Sequence, residues 1–176
     1  MLAVASSLVL FVIGCNQSRT ADMAREASPP GGSTTASESA TSLESVHVRD
    51  LSVDESMGGH TLARHVGKTD AELRDRLRRE PQISSSSTYT DRRSAERAVG
   101  AALAAAGPRL ANWQNRSGRR PNLVLHYADR GTQPVGRSLS REQQTPVFCY
   151  RLLVVLRWNE RSDLFYVLTS YPEAER

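Results

Sequence analysis

The chain is poor in cysteine, lysine and aromatic side chains. Its 176 residues include only two cysteines, which excludes the disulfide scaffold that stabilises many small secreted domains. Apolar residues make up 39% of the chain and charged residues 24%, with a mean hydropathy of −0.46. This composition suits a globular domain and excludes a multi-span membrane protein. Lys68 is the one lysine, so the other 22 basic residues are arginine, the side chain best suited to bidentate phosphate contacts.

The longest apolar run lies at the start of the chain. Residues 1–14 are almost wholly apolar and small, and they are fewer than the roughly 20 apolar residues that a membrane-spanning helix needs. The run predicts a secretory signal. It is followed by Cys15 in the sequence VIGC, which resembles a bacterial lipobox and predicts a lipidated cysteine. No Lys or Arg precedes the run, so a plain secretory signal is the alternative; both predict export, either lipid-anchored to a bacterial membrane or secreted.

A polar linker is predicted to separate this signal from a folded domain. Residues 15–45 are rich in Ser, Thr, Ala, Gly and Pro and predict a flexible tether. Residues 46–176 predict the folded domain, and their 21 basic and 15 acidic side chains give it a net charge of +6. That charge favours a polyanionic partner. Cys149 is the domain's one cysteine, so we expect no intramolecular disulfide.

The domain divides into a helical half followed by a strand half. The capping-box spacing of Thr69 and Glu72 predicts a helix that ends before Pro81, and Gly107-Pro108 predicts the end of a second one. We expect helices at 60–65, 69–80 and 91–106, with a further turn at 110–113. Apolar residues then alternate with a period of two and predict strands at 123–127, 135–139, 147–157 and 164–171. The last two are expected to form an antiparallel hairpin. The predicted class is α+β, with N-terminal helices packed on a C-terminal antiparallel sheet.

The densest polar segment spans residues 58–77. It contains His60, Arg64, His65, Lys68, Arg74 and Arg76. The two histidines are five residues apart, which on a helix separates them by about 140° and disfavours a shared metal ion. A neutral imidazole beside guanidinium and ammonium groups suits acid–base chemistry on a phosphate. The alternative is that these residues are exposed side chains of a helix and a loop.

Two hydroxyl side chains lie at the end of the last predicted strand. Alternation places Phe165, Val167, Thr169 and Tyr171 on one face. Thr169 and Tyr171 can both donate hydrogen bonds to a phosphoryl group, although both are also ordinary strand residues. On the strand at 123–127, His126 either faces such a site or is exposed to solvent.

Four segments together resemble a known family. In chain order they read GGHTLARHVGKTDAELRDRL, SSSSTYTDRRSAERAV, PVGRSL and YVLTSYP, and they cover nearly all of residues 57–172. They are similar to the bacterial ribonuclease-A-like toxin domain found in contact-dependent inhibition proteins and other polymorphic toxins. The resemblance implies a ribonuclease-A-like fold without disulfides. It also implies a metal-independent endoribonuclease that needs no cofactor and cleaves RNA by attack of the 2′-hydroxyl, leaving a 2′,3′-cyclic phosphate.

The resemblance also implies roles for individual residues. His65 falls on the family's catalytic histidine, Arg76 on its catalytic arginine, and Thr169 and Tyr171 on its strand hydroxyls. Lys68 and His60 are expected to bind the substrate nearby. The implied partners are RNA and, for a toxin, a cognate immunity protein. A direct contact between His65 and Tyr171 is the structural expectation that this scheme requires.

The chain departs from the family pattern at its N-terminus. Family members usually form the tail of a very large protein, whereas this domain follows its own predicted signal and tether. Two alternatives therefore stand beside the ribonuclease. One is a non-catalytic surface lipoprotein whose ribonuclease-like domain binds RNA or a protein partner, and the other is a secreted structural or adhesive domain.

Overall fold

The computed structural model describes residues 47–175. The expected signal, the lipidation site at Cys15 and the whole of the expected tether lie outside these residues. The helices are α1 (Leu51–Ser56), α2 (Thr61–His65), α3 (Asp70–Arg79), α4 (Arg92–Ala105) and α5 (Gly107–Gln114). The strands are β1 (Ser85–Tyr89), β2 (Leu123–Ala128), β3 (Gly136–Ser140), β4 (Val147–Cys149), β5 (Arg151–Asn159) and β6 (Leu164–Glu173). Within residues 47–175, no helix has the length and apolar character needed to cross a membrane.

The strands form two antiparallel sheets, and the predicted α+β class is confirmed. The strand orders are β1-β3-β4 and β2-β5-β6. The division into a helical half and a strand half is incomplete, because β1 lies between α3 and α4. This serine-rich strand lacks the apolar alternation that reveals a strand in a sequence. It is held by pairing with β3, from Ser85 opposite Ser140 to Tyr89 opposite Gly136.

The single long strand predicted at 147–157 is wrong, because it is two strands in different sheets. β4 pairs with β3, whereas β5 pairs with β2 and β6. The chain changes sheet at Tyr150, whose carbonyl accepts a hydrogen bond from the Asp129 amide at 2.7 Å. Continuous apolar alternation cannot show a change of partner strand, because both strands bury side chains with the same period.

The predicted starts of α3 and α4 are confirmed by their caps. The Thr69 hydroxyl accepts a hydrogen bond from the Glu72 amide, and the Glu72 carboxylate accepts one from the Thr69 amide. The Asp91 carboxylate accepts from the Ser94 amide at 2.7 Å and begins α4. Gly107-Pro108 ends α4 as expected but also starts α5, since proline is favoured in the first turn of a helix. The turn expected at 110–113 is therefore part of α5. Helix α1 was not predicted.

The main core lies against one face of the sheet β2-β5-β6. Buried side chains of α4, among them Ala98 and Val99, belong to the same apolar cluster as Leu125 and Val154. The pairing register places His126, Leu153 and Tyr171 in one row across the sheet, and Val124, Val155 and Thr169 in another. Paired residues project to the same face, and neighbouring rows alternate. We call the face that carries His126, Thr169 and Tyr171 the site face; it is opposite the face that carries Leu125 and Val154.

A bulge in β6 interrupts the alternation that the sequence predicts for this strand. Val155 pairs with Thr169 while Leu156 pairs with Val167, which leaves Leu168 as an extra residue. The extra residue reverses the alternation, since successive residues of a strand point to opposite faces. The sequence pattern predicts that Phe165 and Val167 share a face with Thr169 and Tyr171. This prediction is wrong, because the bulge puts the two pairs on opposite faces. Val167 is fully buried in the core, and the two hydroxyls lie on the site face.

Candidate active site

Helix α2 is fixed against β6 beside the bulge. A Cβ atom at Gly59 would lie 2.4 Å from the Val167 carbonyl oxygen, so only glycine permits this approach. The close approach lets the His60 amide donate a hydrogen bond to the Leu168 carbonyl at 3.0 Å. The five residues of α2 follow directly and end at His65. The short helix thereby delivers its last side chain to the site face of β6.

The His65 ring lies between β1 and β6 and is 6% exposed. Its Nδ1 is 3.3 Å from the Ser87 carbonyl oxygen. Since a carbonyl only accepts, Nδ1 carries the proton of the neutral ring and Nε2 is the nitrogen with a lone pair. The ring centroids of His65 and Tyr171 are 5.3 Å apart with a tilt of 33°. The contact that the sequence scheme required is present.

Burial and positive charge keep His65 neutral. Burial of the ring, followed by the positive charge of Arg76, lowers its pKa from 6.5 to about 4, although the hydrogen bond to Ser87 opposes the shift. At neutral pH the ring can therefore accept a proton, but it is a weak base in the unliganded protein. An anionic phosphate beside the ring would raise this pKa, because opposite charge favours the protonated form.

Thr169 and Tyr171 present hydroxyls on the same face. The Thr169 Oγ1 atom is buried, and residues 47–175 supply no hydrogen-bond partner for it. Buried hydroxyls are normally paired. Among the described residues three other buried polar atoms also lack a partner: Thr61 Oγ1, Ser86 Oγ and Trp158 Nε1. Burial, with the negative charge of Glu173, raises the pKa of the Tyr171 phenol. Tyr171 is thus a neutral hydrogen-bond donor and a poor source of protons.

A basic cleft of about 240 Å³ is bordered by α2, α3 and β1. Its lining includes Ser86 of β1 and the charged residues Arg64, Lys68, Glu72, Arg76, Arg79 and Glu80. His65, Thr169 and Tyr171 are outside the lining, but Arg64 and Ser86 directly precede His65 and Ser87, which hydrogen-bond to one another. The cleft therefore lies next to the segments that hold His65, and the charge of Arg76 in its lining reaches the His65 ring.

Arg76 links the cleft to the histidines. Its side chain is 19% exposed, and its Nε is 3.3 Å from Oε1 of Glu80, the residue that caps the C-terminal end of α3. Its charge contributes to lowering the pKa of both His65 and His60. For His60, burial is the larger cause and the charge of Arg64 comes next. The structure therefore brings together four of the predicted site residues: His60, His65, Lys68 and Arg76.

The Lys68 segment is tied to both neighbouring strands. Its amide donates to Thr88 Oγ1 at 3.0 Å, and its carbonyl accepts from Arg137 at 2.7 Å. Arg137 also donates to the Asp70 carboxylate at 2.8 Å. These bonds hold the backbone in place while the Lys68 side chain lines the cleft.

Residues 47–175 contain no group of three or more His, Cys, Asp or Glu side chains placed to hold a metal ion. Cys149 is buried, and burial raises the pKa of its thiol to about 11, so it is a packing residue and a poor nucleophile. Sequence reasoning missed Glu173 and the Ser87 carbonyl. Nothing in the local pattern marks either of them, since their importance depends on contacts with distant residues.

Comparison with known proteins shows the family. The family model described as "Bacterial CdiA-CT RNAse A domain" matches residues 59–172. Among solved structures, the chain is similar to "Crystal structure of CdiA-CT/CdiI complex from Y. kristensenii 33638", with a TM-score of 0.57 and 26% sequence identity. That match covers 66% of this chain and 100% of the other. No curated protein matches. Since the family match spans more than half of its length, this chain belongs to the bacterial CdiA-CT RNAse A domain family.

Proposed function

We propose that the chain is a metal-independent endoribonuclease of the contact-dependent inhibition class. The observation that carries the proposal is the contact between His65 and Tyr171 beside the basic cleft of Arg76. All three residues lie within the matched range 59–172. The substrate brings its own nucleophile, the 2′-hydroxyl, so the reaction needs no metal-bound water.

The proposed first step uses the lone pair of His65. Nε2 takes the proton of the 2′-hydroxyl while the Ser87 carbonyl holds Nδ1–H and orients the ring. The O2′–P bond forms as the P–O5′ bond breaks, giving a 2′,3′-cyclic phosphate and a free 5′-hydroxyl. DNA lacks the attacking hydroxyl and is not a substrate for this chemistry.

The other residues stabilise the charge that develops on the phosphate. Arg76 supplies a guanidinium near the imidazole, and such preorganised charge is usually the largest catalytic term. Thr169 Oγ1, which is buried without a partner among the described residues, donates to a non-bridging oxygen. Tyr171 packs against the base and donates a further hydrogen bond. Lys68 and His60 bind the neighbouring phosphate and ribose.

The partners of the chain follow from its family and its charge. The similar solved structure is a CdiA-CT/CdiI complex, so we propose that a cognate immunity protein binds this chain and blocks RNA cleavage. With 21 basic and 15 acidic residues in 46–176, the domain favours an inhibitor with an acidic surface. We further propose export through residues 1–14 and lipidation at Cys15. A Cys15→Ser variant that still incorporates labelled fatty acid in cells would contradict the anchor.

The test of the activity is cleavage of RNA in the presence of EDTA. The full-length wild type is incubated with RNA and with a 2′-deoxy oligonucleotide, beside His65→Ala and the control His47→Ala, which removes an exposed histidine far from α2 in the sequence. We expect the wild type and the control to leave cyclic-phosphate ends on RNA alone, and His65→Ala to lose this activity. Intact RNA in every tube, together with salt-dependent RNA binding, would support the non-catalytic binding module instead.

A further inference from the structure

The proposed reaction leaves one proton without a source. The departing 5′-oxygen must be protonated, and Tyr171 is a poor donor because burial and Glu173 raise its pKa. His65 cannot serve in the same step, because it is the base. The site face of the sheet carries one other imidazole, His126 of β2.

His126 lies in the same cross-strand row as Tyr171. The register pairs His126 with Leu153 and Leu153 with Tyr171, so all three side chains project from the site face. The two strands at the ends of this row are separated by about 10 Å, twice the usual strand spacing.

The His126 side chain reaches across β5 toward β6. Its Nδ1 is 2.9 Å from Oε2 of Glu173, which lies two residues beyond Tyr171 on the same face. Since an ionised carboxylate only accepts, Nδ1–H is the donor and Nε2 is the nitrogen available to a ligand. Glu173 is also near enough to Tyr171 to influence the phenol. His65 therefore contacts Tyr171, and His126 contacts Glu173 two residues further along the same face of β6.

A second cavity, which shares no lining residue with the basic cleft, lies beside this second imidazole. A cavity of about 580 Å³ is lined by His126, Arg151, Glu173, Ala174 and Glu175. Arg151 supplies one positive charge to this lining, and Glu173 and Glu175 supply two carboxylates. An exposed imidazole that a carboxylate partner orients is a suitable side chain for general acid catalysis.

We propose that His126 is a further catalytic residue, which protonates the leaving 5′-oxygen, and that Glu173 is its positioning residue. The inference rests on the proposed ribonuclease function. As the P–O5′ bond breaks, the proton on Nε2 of the His126 imidazolium passes to O5′, while His65 holds the proton taken from O2′. Exchange of one proton each with water returns both rings to their starting states, so atoms and charge balance over the cycle.

Two substrates that differ only in leaving group test this role. One is a dinucleoside monophosphate whose first nucleoside is taken from the observed RNA cleavage sites. The other is the 3′-(4-nitrophenyl phosphate) of the same nucleoside, whose 4-nitrophenolate departs without needing a proton. Full-length wild type, His126→Ala, Glu173→Gln, His65→Ala and the control His47→Ala are compared on both. Activity on the nitrophenyl ester also shows that a variant is folded.

We expect His126→Ala to lose about 10²–10⁴-fold in kcat/KM on the dinucleotide, the usual contribution of a general acid, and to keep nearly wild-type activity on the nitrophenyl ester. Glu173→Gln should show the same selectivity with a smaller loss, and His65→Ala should lose activity on both substrates. Equal losses of His126→Ala on both substrates, or no loss on either, would overturn the role of His126 while leaving the ribonuclease intact. A wild type that cleaves neither substrate nor RNA would overturn the proposed function and this inference with it.

Discussion

The protonation of His65 should by itself measurably lower the free energy of unfolding when the pH falls from 7 to 4. The ring is 6% exposed and lies near the positive charge of Arg76, so the folded protein resists its protonation. In the unfolded chain the same histidine titrates at about 6.5. As the pH falls through 6.5 the unfolded chain gains a proton that the folded chain does not, and the free energy of unfolding decreases until the folded ring itself protonates near pH 4.

The size of the effect follows from the two pKa values. Lowering the pKa from 6.5 to about 4 in the folded state corresponds to about 3 kcal/mol at 1.36 kcal/mol per pKa unit. About half of this loss should have developed near pH 5, and none above pH 7. A small domain is typically stable by about 5–15 kcal/mol, so the contribution is a substantial fraction of the whole.

Urea unfolding of the wild type and a His65→Gln variant isolates this contribution. Trp113 is buried and lies 5.7 Å from Trp158 in an edge-to-face pair, so tryptophan fluorescence reports loss of the core. The free energy of unfolding is measured at several pH values between 7 and 4. Any change in packing caused by the glutamine shifts the variant equally at every pH. Titration of the carboxylates affects both proteins alike, so the difference between the two curves belongs to His65.

The reasoning is refuted if both proteins lose the same stability between pH 7 and pH 4. An NMR titration that finds the His65 ring protonating near 6.5 in the folded protein would refute it independently. His60→Gln is the comparison variant. Burial also lowers the pKa of His60, so it should show a loss of the same sign. His47→Gln, at an exposed position, controls for the removal of a histidine.

Three further predictions concern single contacts. Arg76→Gln should raise the pKa of His65, measured by NMR, because it removes the positive charge beside the imidazole. The same variant should lower RNA cleavage by about 10²–10³-fold. An unchanged pKa would contradict the effect of the Arg76 charge on His65. Asp54→Ala should destabilise the fold by about 3 kcal/mol in urea unfolding, because this buried carboxylate accepts from both Arg49 and the Val167 amide; a cost below about 1 kcal/mol would show that the pair is dispensable. Ser170→Ala should lower the free energy of unfolding by about 1–3 kcal/mol, because the buried Tyr89 hydroxyl loses its hydrogen-bond partner at 2.6 Å. Unchanged stability would show that this hydrogen bond does not stabilise the fold.

The elements that the sequence predicted correctly depend on local signals. The capping box of Thr69 and the Asp91 cap mark helix starts, because each bond joins residues three apart in the chain. The hairpin of β5 and β6 is likewise local, with a short turn between two apolar strands. The candidate site residues came from a resemblance carried by short motifs, and their catalytic roles stay predictions.

The sequence by itself determined the fold class, the principal helices and the β5–β6 hairpin, because caps, turns and apolar periodicity act between near neighbours. Only the tertiary structure decided which strands share a sheet, where Tyr150 separates β4 from β5, and that serine-rich β1 is a strand at all. It also decided that the bulge at Leu168 places Tyr171 on the site face, where Tyr171 contacts His65 and where Glu173 contacts His126. These outcomes depend on pairing between residues far apart in the chain, and no local pattern encodes which distant strand is the partner.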